Sequence, residues 1–350
     1  MQLDFSDLQI DPSNYTGGED RLAFRIKESV SNLVSAFQVD DIGTWIVMYS
    51  GGKDSTVTLL LAIEAAKICK YQPKLHVIFS NTGVEIPSML EHAESFLAAL
   101  ALSHSWIKIH TVGPVISENF WVLVAGKGYP PPNQSFRWCT DKLKVKPAEE
   151  KIRNLVIPGR TAILTGVRFG ESDARDKRLN LSCSRGGECS HGQWVSHSGK
   201  LQCAYIGPIV AWRECDVWDF LDFIAPSLGF ETGKLKAIYS GPDTRFGCWS
   251  CSVVKRDKAM EKIVLSSEGR HWAPLNELRN WLIEFAKVPE NRVKRPNGAT
   301  GRFTLEGRQE ILRKITEAEQ RLSVPIVSDE QRELIQSYWT NPEYGNSYLE

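Results

Sequence analysis

A short polar loop between two apolar segments constrains the fold of this chain more than any other feature. Residues 50–55 read SGGKDS; they follow WIVMY and precede TVTLLLAIEAA. The first apolar run predicts a buried strand, and the second predicts a helix. Adjacent glycines at such a junction bring backbone N–H groups close to a ligand at the positive end of the helix, which suits phosphate. The alternative interpretation is an ordinary Gly-Gly turn.

Strand-like and helical runs alternate up to about residue 165. The predicted strands cover 45–50, 74–83, 105–112 and 160–167, and the predicted helices cover 54–70, 88–102 and 144–155. Nearly all-apolar strands that alternate with helices predict an α/β fold with a doubly wound parallel sheet. Ligands of such sheets bind at the carboxyl ends of the strands, where the loop at 50–55 and Thr82 and Gly83 are expected.

The pattern changes in the second half of the chain. Residues 170–206 are polar and rich in glycine and cysteine, and the chain beyond 250 reads as mainly helical, over 277–288, 305–322 and 328–339. Ser328 is predicted to cap the last of these helices. We therefore expect three consecutive segments: a helical lead-in at 1–40, an α/β domain at 41–225 with an insertion at 170–206, and a helical region at 226–350.

Composition excludes some classes of protein but does not indicate an activity. The 42 basic and 42 acidic residues balance, so bulk charge does not argue for or against a nucleic-acid partner. The first twenty residues do not resemble a signal peptide, and no apolar stretch approaches the roughly 18–20 residues of a membrane span. We expect a cytoplasmic protein without membrane association, whose eight cysteines act as ligands, nucleophiles or core residues rather than disulfides.

A second polar loop, LTGVRFGESDARDKRL at 164–179, follows a predicted strand. Gly166 permits a tight exit from this strand, and Arg168, Arg175 and Arg178 offer guanidinium donors that suit phosphate. Acidic residues alternate with these arginines, so a solvated charged helix is the alternative interpretation.

Three cysteines indicate a metal or redox site. Cys248 and Cys251 form a C-x-x-C pair, and Cys139 lies about a hundred residues earlier. One such pair serves zinc, iron–sulfur or redox chemistry alike. Basic residues flank Cys139, which predicts thiolates close to positive charge: Arg137, Lys142 and Lys144. We expect Cys69 and Cys215 to be core residues.

The loop SGGKDS resembles the PP-loop of the adenine nucleotide α-hydrolase superfamily, which includes ATP pyrophosphatases and PAPS reductases. The resemblance implies that ATP and Mg²⁺ bind here, with Lys53, Asp54 and Arg168 as catalytic residues. It also implies a set of nucleotide-binding residues: Ser50, Gly51, Gly52, Lys53, Asp54, Ser55, Thr82, Gly83, Gly166, Arg168 and Arg175.

Several longer segments resemble the DndC family, the iron–sulfur ATP pyrophosphatases of bacterial DNA phosphorothioation. They are YSGGKDST, FRWCTDKLKVKP, PIVAWRECDVWDFL, RFGCWSCSVVKRDKAME and FTLEGRQEILRKITEAEQ, in this order. The resemblance covers about residues 40–340 and implies a [4Fe–4S] cluster on Cys139, Cys248 and Cys251. It further implies a sulfurtransferase that acts on DNA, with a cysteine desulfurase as sulfur donor and other phosphorothioation subunits as partners.

The chain departs from the family in one respect. DndC-type sequences place a further cysteine shortly before RFGCWxC, where this chain has YSGPDT. Cys183, Cys189 or Cys203 is then a candidate fourth ligand, or an open iron position serves sulfur relay. The same three cysteines, with His191 or His197, are also candidates for a separate zinc site.

Three other functions remain as alternatives to DNA modification. A sulfonucleotide reductase shares the PP-loop and the Thr-Gly-x-Arg segment, but its tail carries a cysteine, and here no cysteine follows Cys251. A tRNA thiolase shares the PP-loop and the cluster. A non-catalytic nucleotide-sensing subunit is disfavoured by the intact SGGKDS loop.

Overall fold

The computed structural model describes most of the chain, namely residues 19–38, 42–70, 72–170, 195–198, 202–239 and 247–346. Several residues singled out in the sequence lie outside these ranges: Arg175, Arg178, Cys183, Cys189 and His191. His197 lies in a described strand, but its side chain is not described.

The described residues form two compact units that interleave along the chain. Unit 1 contains the described residues of Met1–Ser80, Pro87–Val112 and Glu150–Ser240. Unit 2 contains those of Asn81–Ile86, Gly113–Glu149 and Gly241–Glu350. The predicted division into segments at 1–40, 41–225 and 226–350 stays a prediction.

A six-stranded sheet forms the centre of unit 1. Its strands are β1 (Thr44–Tyr49), β2 (Lys74–Ser80), β3 (Lys108–Val112), β4 (Thr161–Leu164), β5 (Val195–Ser198) and β6 (Cys203–Ile206). They lie in the order β3-β2-β1-β4-β6-β5, and every neighbouring pair is parallel except β5 and β6. The predicted α/β fold with a parallel sheet is confirmed. The β5–β6 pair was not predicted, because both strands are short and lie in a polar segment.

Helices connect and flank these strands. They are α1 (Glu19–Phe37), α2 (Lys53–Ile68), α3 (Pro87–Ser103), α4 (Lys146–Leu155), α5 (Glu214–Asp219) and α6 (Gly233–Ile238). Helix α2 connects β1 to β2, is buried at every position from Ser55 to Ala66, and packs against α1. Such continuous burial explains why its sequence is apolar on all sides rather than amphipathic.

Cys203 lies in the hydrophobic core of unit 1. It belongs to a buried cluster with Ile46, Ile78, Ile152 and Ile163. Burial in these apolar surroundings raises the pKa of its thiol. The residues packed around it in this cluster are isoleucines and offer no metal ligand, so the structure places Cys203 as a core residue.

Unit 2 is mainly helical, as the sequence predicted, but it also contains a β-hairpin. Its helices are α7 (Lys258–Leu265), α8 (Ala273–Phe285), α9 (Leu305–Leu322) and α10 (Asp329–Trp339), and the hairpin pairs β7 (Arg292–Lys294) with β8 (Thr300–Phe303). The predicted cap of α10 is confirmed, since Ser328 Oγ accepts the Gln331 N–H and the Gln331 side chain accepts the Ser328 N–H. Within the described ranges, no helix is both long and apolar enough to cross a membrane.

A buried arginine ties the helices of unit 2 to a buried turn. The π-helical turn Val122–Gly126 is buried and packs against α9 and α10. From α9, Arg308 donates hydrogen bonds to the carbonyl oxygens of Gly126, at 2.7 Å, and of Tyr344. Arg308 is fully buried, and burial lowers its pKa to about 10. The bond to Gly126 is buried, and a buried carbonyl that loses its donor costs free energy.

We expect Arg308→Met to lower the free energy of unfolding by about 3 kcal/mol, because the apolar side chain removes the donor to the buried Gly126 carbonyl and to the partly buried Tyr344 carbonyl. Urea denaturation measures this change. Arg313→Met on the exposed face of the same helix is the matched control, and we expect it to cost less than about 0.5 kcal/mol. Equal urea midpoints for the two variants would contradict the proposed role of Arg308.

Candidate functional site

The SGGKDS loop leaves β1 and enters α2 with two glycines that other elements approach closely. Gly51 has φ +75°, and a Cβ atom at this position would lie 2.8 Å from Cβ of Ala93 in α3. A Cβ at Gly52 would lie 3.2 Å from the Tyr239 hydroxyl. Packing therefore already requires a glycine at position 51, and the case for phosphate binding depends on the remaining features of the loop.

The N-terminus of α2 has the properties of an anion site. Its cap residue is Gly52, which has no side chain, so no side-chain acceptor caps the first-turn N–H groups. The Ser55 hydroxyl instead fastens the loop, since it donates to the Gly52 carbonyl (2.9 Å) and accepts the Ser50 N–H (3.2 Å). A long buried helix whose first N–H groups have no side-chain cap attracts phosphate oxygens.

The loop after β4 packs directly on this N-terminus. A Cβ atom on Gly166 would lie within 2.9 Å of the peptide that joins Asp54 to Ser55, so no larger residue fits there. Two residues later, the buried Arg168 pairs through Nε with Asp54 Oδ1. Strand order reverses on the two sides of β1, and the carboxyl ends of β1 and β4 are where ligands bind in such sheets.

Lys53 lies in surroundings that the sequence did not reveal. Its Nζ lies 3.5 Å from Asp54 Oδ2 and 3.3 Å from Glu214 Oε1. It also lies over the ring of Tyr239, at 5.0 Å from the centroid, and near Trp218. Glu214 opens α5, far from Lys53 in sequence, and no local motif connects the two. Because the Glu214 carboxylate is 63% exposed, its attraction for Lys53 is weak and a phosphate can replace it.

Thr82 and Gly83 belong to unit 2, where they accompany the C-x-x-C segment. The Glu85 carboxylate accepts the N–H and the hydroxyl of Thr82, at 3.0 and 2.6 Å. Thr82 Oγ1 lies 3.8 Å from Cys248 Sγ, and Trp249 N donates to the Val84 carbonyl. The contacts of Thr82 in unit 2 are thus with Glu85 and a cysteine. Its predicted contact with a nucleotide stays a prediction.

The two cysteine-bearing segments converge on one aromatic pair, Phe120 and Trp121. Trp138, next to Cys139, stacks on Phe120 with ring centroids 5.4 Å apart. Trp249, next to Cys248, packs on Trp121 at 5.6 Å. This shared contact brings segments about a hundred residues apart into one cysteine group, which we define as Cys139, Cys248 and Cys251.

The thiols of the cysteine group influence one another. Burial raises the pKa of Cys248 to about 12, and the negative charge of Glu85 and the other two cysteines adds to this effect. Burial also raises the pKa of Cys139, and Cys251 raises it further. These shifts stabilise neutral thiols, and only a strong positive charge such as a metal would turn them into thiolates.

The basic residues that flank Cys139 in the sequence face solvent or pair with a carboxylate. The Lys142 ammonium donates to the Glu118 carboxylate at 2.7 Å. Arg137 and Lys144 are exposed. Positive charge around the Cys139 thiol stays a prediction.

A buried arginine holds the chain that follows the C-x-x-C turn. The turn is closed by the Cys251 N–H, which donates to the Cys248 carbonyl at 3.0 Å. From α8, Arg279 donates to the carbonyls of Cys251 (2.8 Å), Val254 and Lys255. Arg279 is 2% exposed, and no sequence pattern indicated this role, because an arginine in a helix usually faces solvent. Arg279 thereby fixes the position of Cys251.

A cluster on the cysteine group stays a prediction. Among the described His, Cys, Asp and Glu side chains, no three converge closely enough to bind one metal ion. A [4Fe–4S] cluster carries one thiolate on each of four irons and spans more space than one ion. Trp121, in the aromatic pair, has a buried Nε1 without a hydrogen-bond acceptor in the described part of the chain. A cluster sulfur is an acceptor of the kind that such a donor lacks.

The two cysteines that we expected in the core, Cys69 and Cys215, differ in how exposed they are. Cys69 is half-buried at the end of α2, where its Sγ donates to the Ala65 carbonyl at 3.3 Å. Cys215 is exposed on α5, so the expectation was wrong for this residue. Arg21 donates a hydrogen bond to its sulfur at 2.9 Å. The sequence could not show which face of this short helix would be buried against the rest of unit 1.

A curated relative and several solved structures are similar to this chain. The uncharacterized protein MJ0066 of Methanocaldococcus jannaschii is 35% identical over 222 residues, which cover 62% of this chain. The match spans only 38% of the length of MJ0066, so this chain corresponds to part of that relative.

The solved structures are similar at lower identity. A phosphoadenylyl-sulfate reductase of Candida auris, a phosphate complex, has 13% identity and a TM-score of 0.41, and covers 69% of this chain and 99% of its own. The U34-tRNA thiolase NcsA of Methanococcus maripaludis, solved with its [4Fe–4S] cluster, has 16% identity and a TM-score of 0.37, and the match covers 75% of this chain and 80% of the thiolase. At these values the similarities do not decide an activity.

The family is decided by the sequence itself. The family model of the phosphoadenosine phosphosulfate reductase domain matches residues 44–253, which is more than half of the chain. This range contains the anion site at α2, the loop with Gly166 and Arg168, and all three residues of the cysteine group. The chain belongs to the phosphoadenosine phosphosulfate reductase domain family.

Proposed function

We propose that this protein is an ATP pyrophosphatase that activates a DNA backbone phosphate for sulfur incorporation. The observation that supports it most is the N-terminus of α2, without a side-chain cap at the carboxyl end of β1, with Lys53 beside it. The DndC-like segments identified in the sequence favour DNA as the acceptor. The same segments favour a cysteine desulfurase as sulfur donor and a role in phosphorothioation and defence.

In the first step, an oxygen of the DNA phosphate attacks the α-phosphorus of ATP, and pyrophosphate leaves. The first N–H groups of α2 and the Lys53 ammonium stabilise the charge that develops on pyrophosphate. Mg²⁺, if bound with ATP, would neutralise part of that charge. Arg168 pairs with Asp54 Oδ1 and so positions the carboxylate whose other oxygen lies 3.5 Å from Lys53 Nζ, which keeps the ammonium at this end of the helix.

In the second step, a sulfur nucleophile replaces the activated oxygen. A hydrosulfide ion, formed when a thiol reduces the persulfide of the donor, attacks the activated DNA phosphorus, and AMP leaves with the oxygen. A phosphodiester oxygen is a poor leaving group, and adenylation converts it into a good one. Cys139, Cys248 and Cys251 are the residues that would hold a [4Fe–4S] cluster, which when bound supplies iron that can bind sulfide.

A second candidate is a sulfonucleotide reductase. The family to which the chain belongs takes its name from this activity, and an adenylyl sulfate would use the same anion site. The two functions differ in the product that is released: pyrophosphate from ATP in one, and sulfite from a sulfonucleotide in the other. A tRNA thiolase differs from the proposed function in its acceptor alone.

We expect Lys53→Ala to reduce pyrophosphate release from ATP and Mg²⁺ by about 100-fold or more, because it removes a charge placed next to the leaving group. A coupled pyrophosphatase assay measures the release. Lys67→Gln is the matched control: it removes a charge near the other end of α2 but keeps a donor for the buried Glu64 carboxylate, and its rate should stay within about twofold of wild type. Equal rates for the two variants would disprove the assignment of the loop.

The acceptor is tested by product analysis with the wild-type protein. We expect pyrophosphate release to rise when duplex DNA and a sulfide source are added, and DNA digestion to yield phosphorothioate dinucleotides. Stimulation by tRNA alone would identify a thiolase. Sulfite release from a sulfonucleotide with a thiol reductant, without pyrophosphate release from ATP, would identify a reductase.

Protein purified without oxygen should contain about four irons and acid-labile sulfide per chain. We expect Cys248→Ser and Cys251→Ser to lose most of this iron, because a serine oxygen is a poor ligand for the cluster. Cys69→Ser and Cys203→Ser are controls outside the cysteine group and should keep it. Stoichiometric zinc without acid-labile sulfide would refute the cluster assignment.

A further inference from the structure

Unit 2 contains a groove whose wall is bonded to both segments of the cysteine group. Its volume is about 610 Å³, within the range of small-ligand sites. Pro130–Pro132 form one wall: the Pro130 carbonyl accepts Trp138 Nε1 at 2.9 Å, and the Pro132 carbonyl accepts the Ser252 hydroxyl at 2.6 Å. Because Trp138 precedes Cys139 and Ser252 follows Cys251, the groove is fixed to the cysteine-bearing chain on both sides.

An exposed aromatic ring stands at this groove on a rigid turn. The Asn133 side-chain oxygen accepts the N–H groups of Ser135 and Phe136, at 3.0 and 2.9 Å. The backbones of Asn133 and Phe136 also bond to each other in both directions. Phe136 lines the groove and is nevertheless 46% exposed, so a large apolar surface is left uncovered on a turn that cannot easily fold it away. A flat ring is the natural partner of such a surface.

Basic residues also line the groove. Residues 287–302 contain one acidic residue, Glu290, against five basic residues: Lys287, Arg292, Lys294, Arg295 and Arg302. Lys287, Arg292 and Arg295 line the groove. Lys287 pairs with Glu284, and Arg292 donates to the carbonyls of Gly301 and Ala286, which leaves these two less available to a ligand.

Arg295 is the available cation of the three. It is exposed in the loop between β7 and β8, and no carboxylate in the described part of the chain pairs with its guanidinium. Its backbone N–H bonds to the Ala299 carbonyl, so the loop conformation does not depend on its side chain. The chain as a whole has no net charge, so the excess of basic residues at 287–302 is a local feature rather than a consequence of composition.

We infer that this groove binds one unstacked nucleotide of a DNA strand, with the base on Phe136 and the prolines and a neighbouring phosphate on Arg295. Aromatic rings that stack bases, next to cations that contact the backbone, are the combination by which proteins bind single strands. The inference rests on the proposed function in that it takes DNA as the acceptor. It adds the surface that would present DNA to the cysteine group of unit 2.

The test is fluorescence anisotropy with a labelled single-stranded DNA oligonucleotide and the full chain. We expect Arg295→Glu to weaken DNA binding about 10-fold. The plot of log affinity against log salt should also become less steep, by about 0.7 in slope, as for one lost phosphate contact. We expect Phe136→Ala to weaken binding at least about fivefold, as for one lost base stack. The matched controls are Arg270→Glu and Phe24→Ala, two exposed residues that do not line the groove, and both should bind within about twofold of wild type.

Pyrophosphate release without DNA is measured on the same variants and should not change, because the groove residues do not belong to unit 1. Arg295→Glu and Phe136→Ala proteins that bind DNA like their controls would overturn the inference and leave the ATP activity standing. Tighter binding of an RNA oligonucleotide of the same sequence, or no binding of DNA by wild type, would overturn it as well. A wild-type protein that releases no pyrophosphate from ATP would instead contradict the proposed function.

Discussion

Helix α2 is buried along twelve consecutive residues, from Ser55 to Ala66, and this burial fixes the anion site of unit 1. A helix held on all sides cannot shift along its axis without opening cavities, so its N-terminus keeps one position relative to β1. Gly166 touches the peptide after Asp54 so closely that the loop after β4 is fixed to the same point. The positions of Arg168 and Lys53 follow from these two contacts.

Unit 2 reaches a comparable rigidity through buried polar bonds. Arg279 and Arg308 each donate several hydrogen bonds to backbone carbonyls of segments that have little regular secondary structure. Irregular segments leave many carbonyls without partners, and a guanidinium with five N–H donors satisfies several of them at once. The C-x-x-C turn and the turn Val122–Gly126 are thereby held without being part of a sheet. An aromatic pair, Phe120 and Trp121, supplies the apolar contact between the cysteine-bearing segments.

The two units offer different chemistry. Unit 1 provides positive potential for phosphate, from a helix terminus and from Lys53, whose attraction to Glu214 is weak in solvent. Unit 2 provides thiols that are neutral as they stand, since burial raises the pKa of Cys139 and Cys248. A buried thiol with a high pKa is a poor nucleophile, which favours a ligand role over direct attack on a substrate. This contrast agrees with a protein in which nucleotide activation and sulfur handling are separate tasks.

The sequence by itself determined the strand–helix alternation, the parallel sheet, the glycine loop between β1 and α2, and the family. These features are local, since periodicity and turn residues act over a few positions. It missed the β5–β6 and β7–β8 pairs, because strands of three or four residues are too short to show a periodic pattern. Only the tertiary structure decided that Thr82 accompanies Cys248, that Glu214 approaches Lys53, and that Cys203 is a core residue. Each of these depends on contacts between residues far apart in the chain, where packing and the burial of charge, rather than local propensity, select the neighbours.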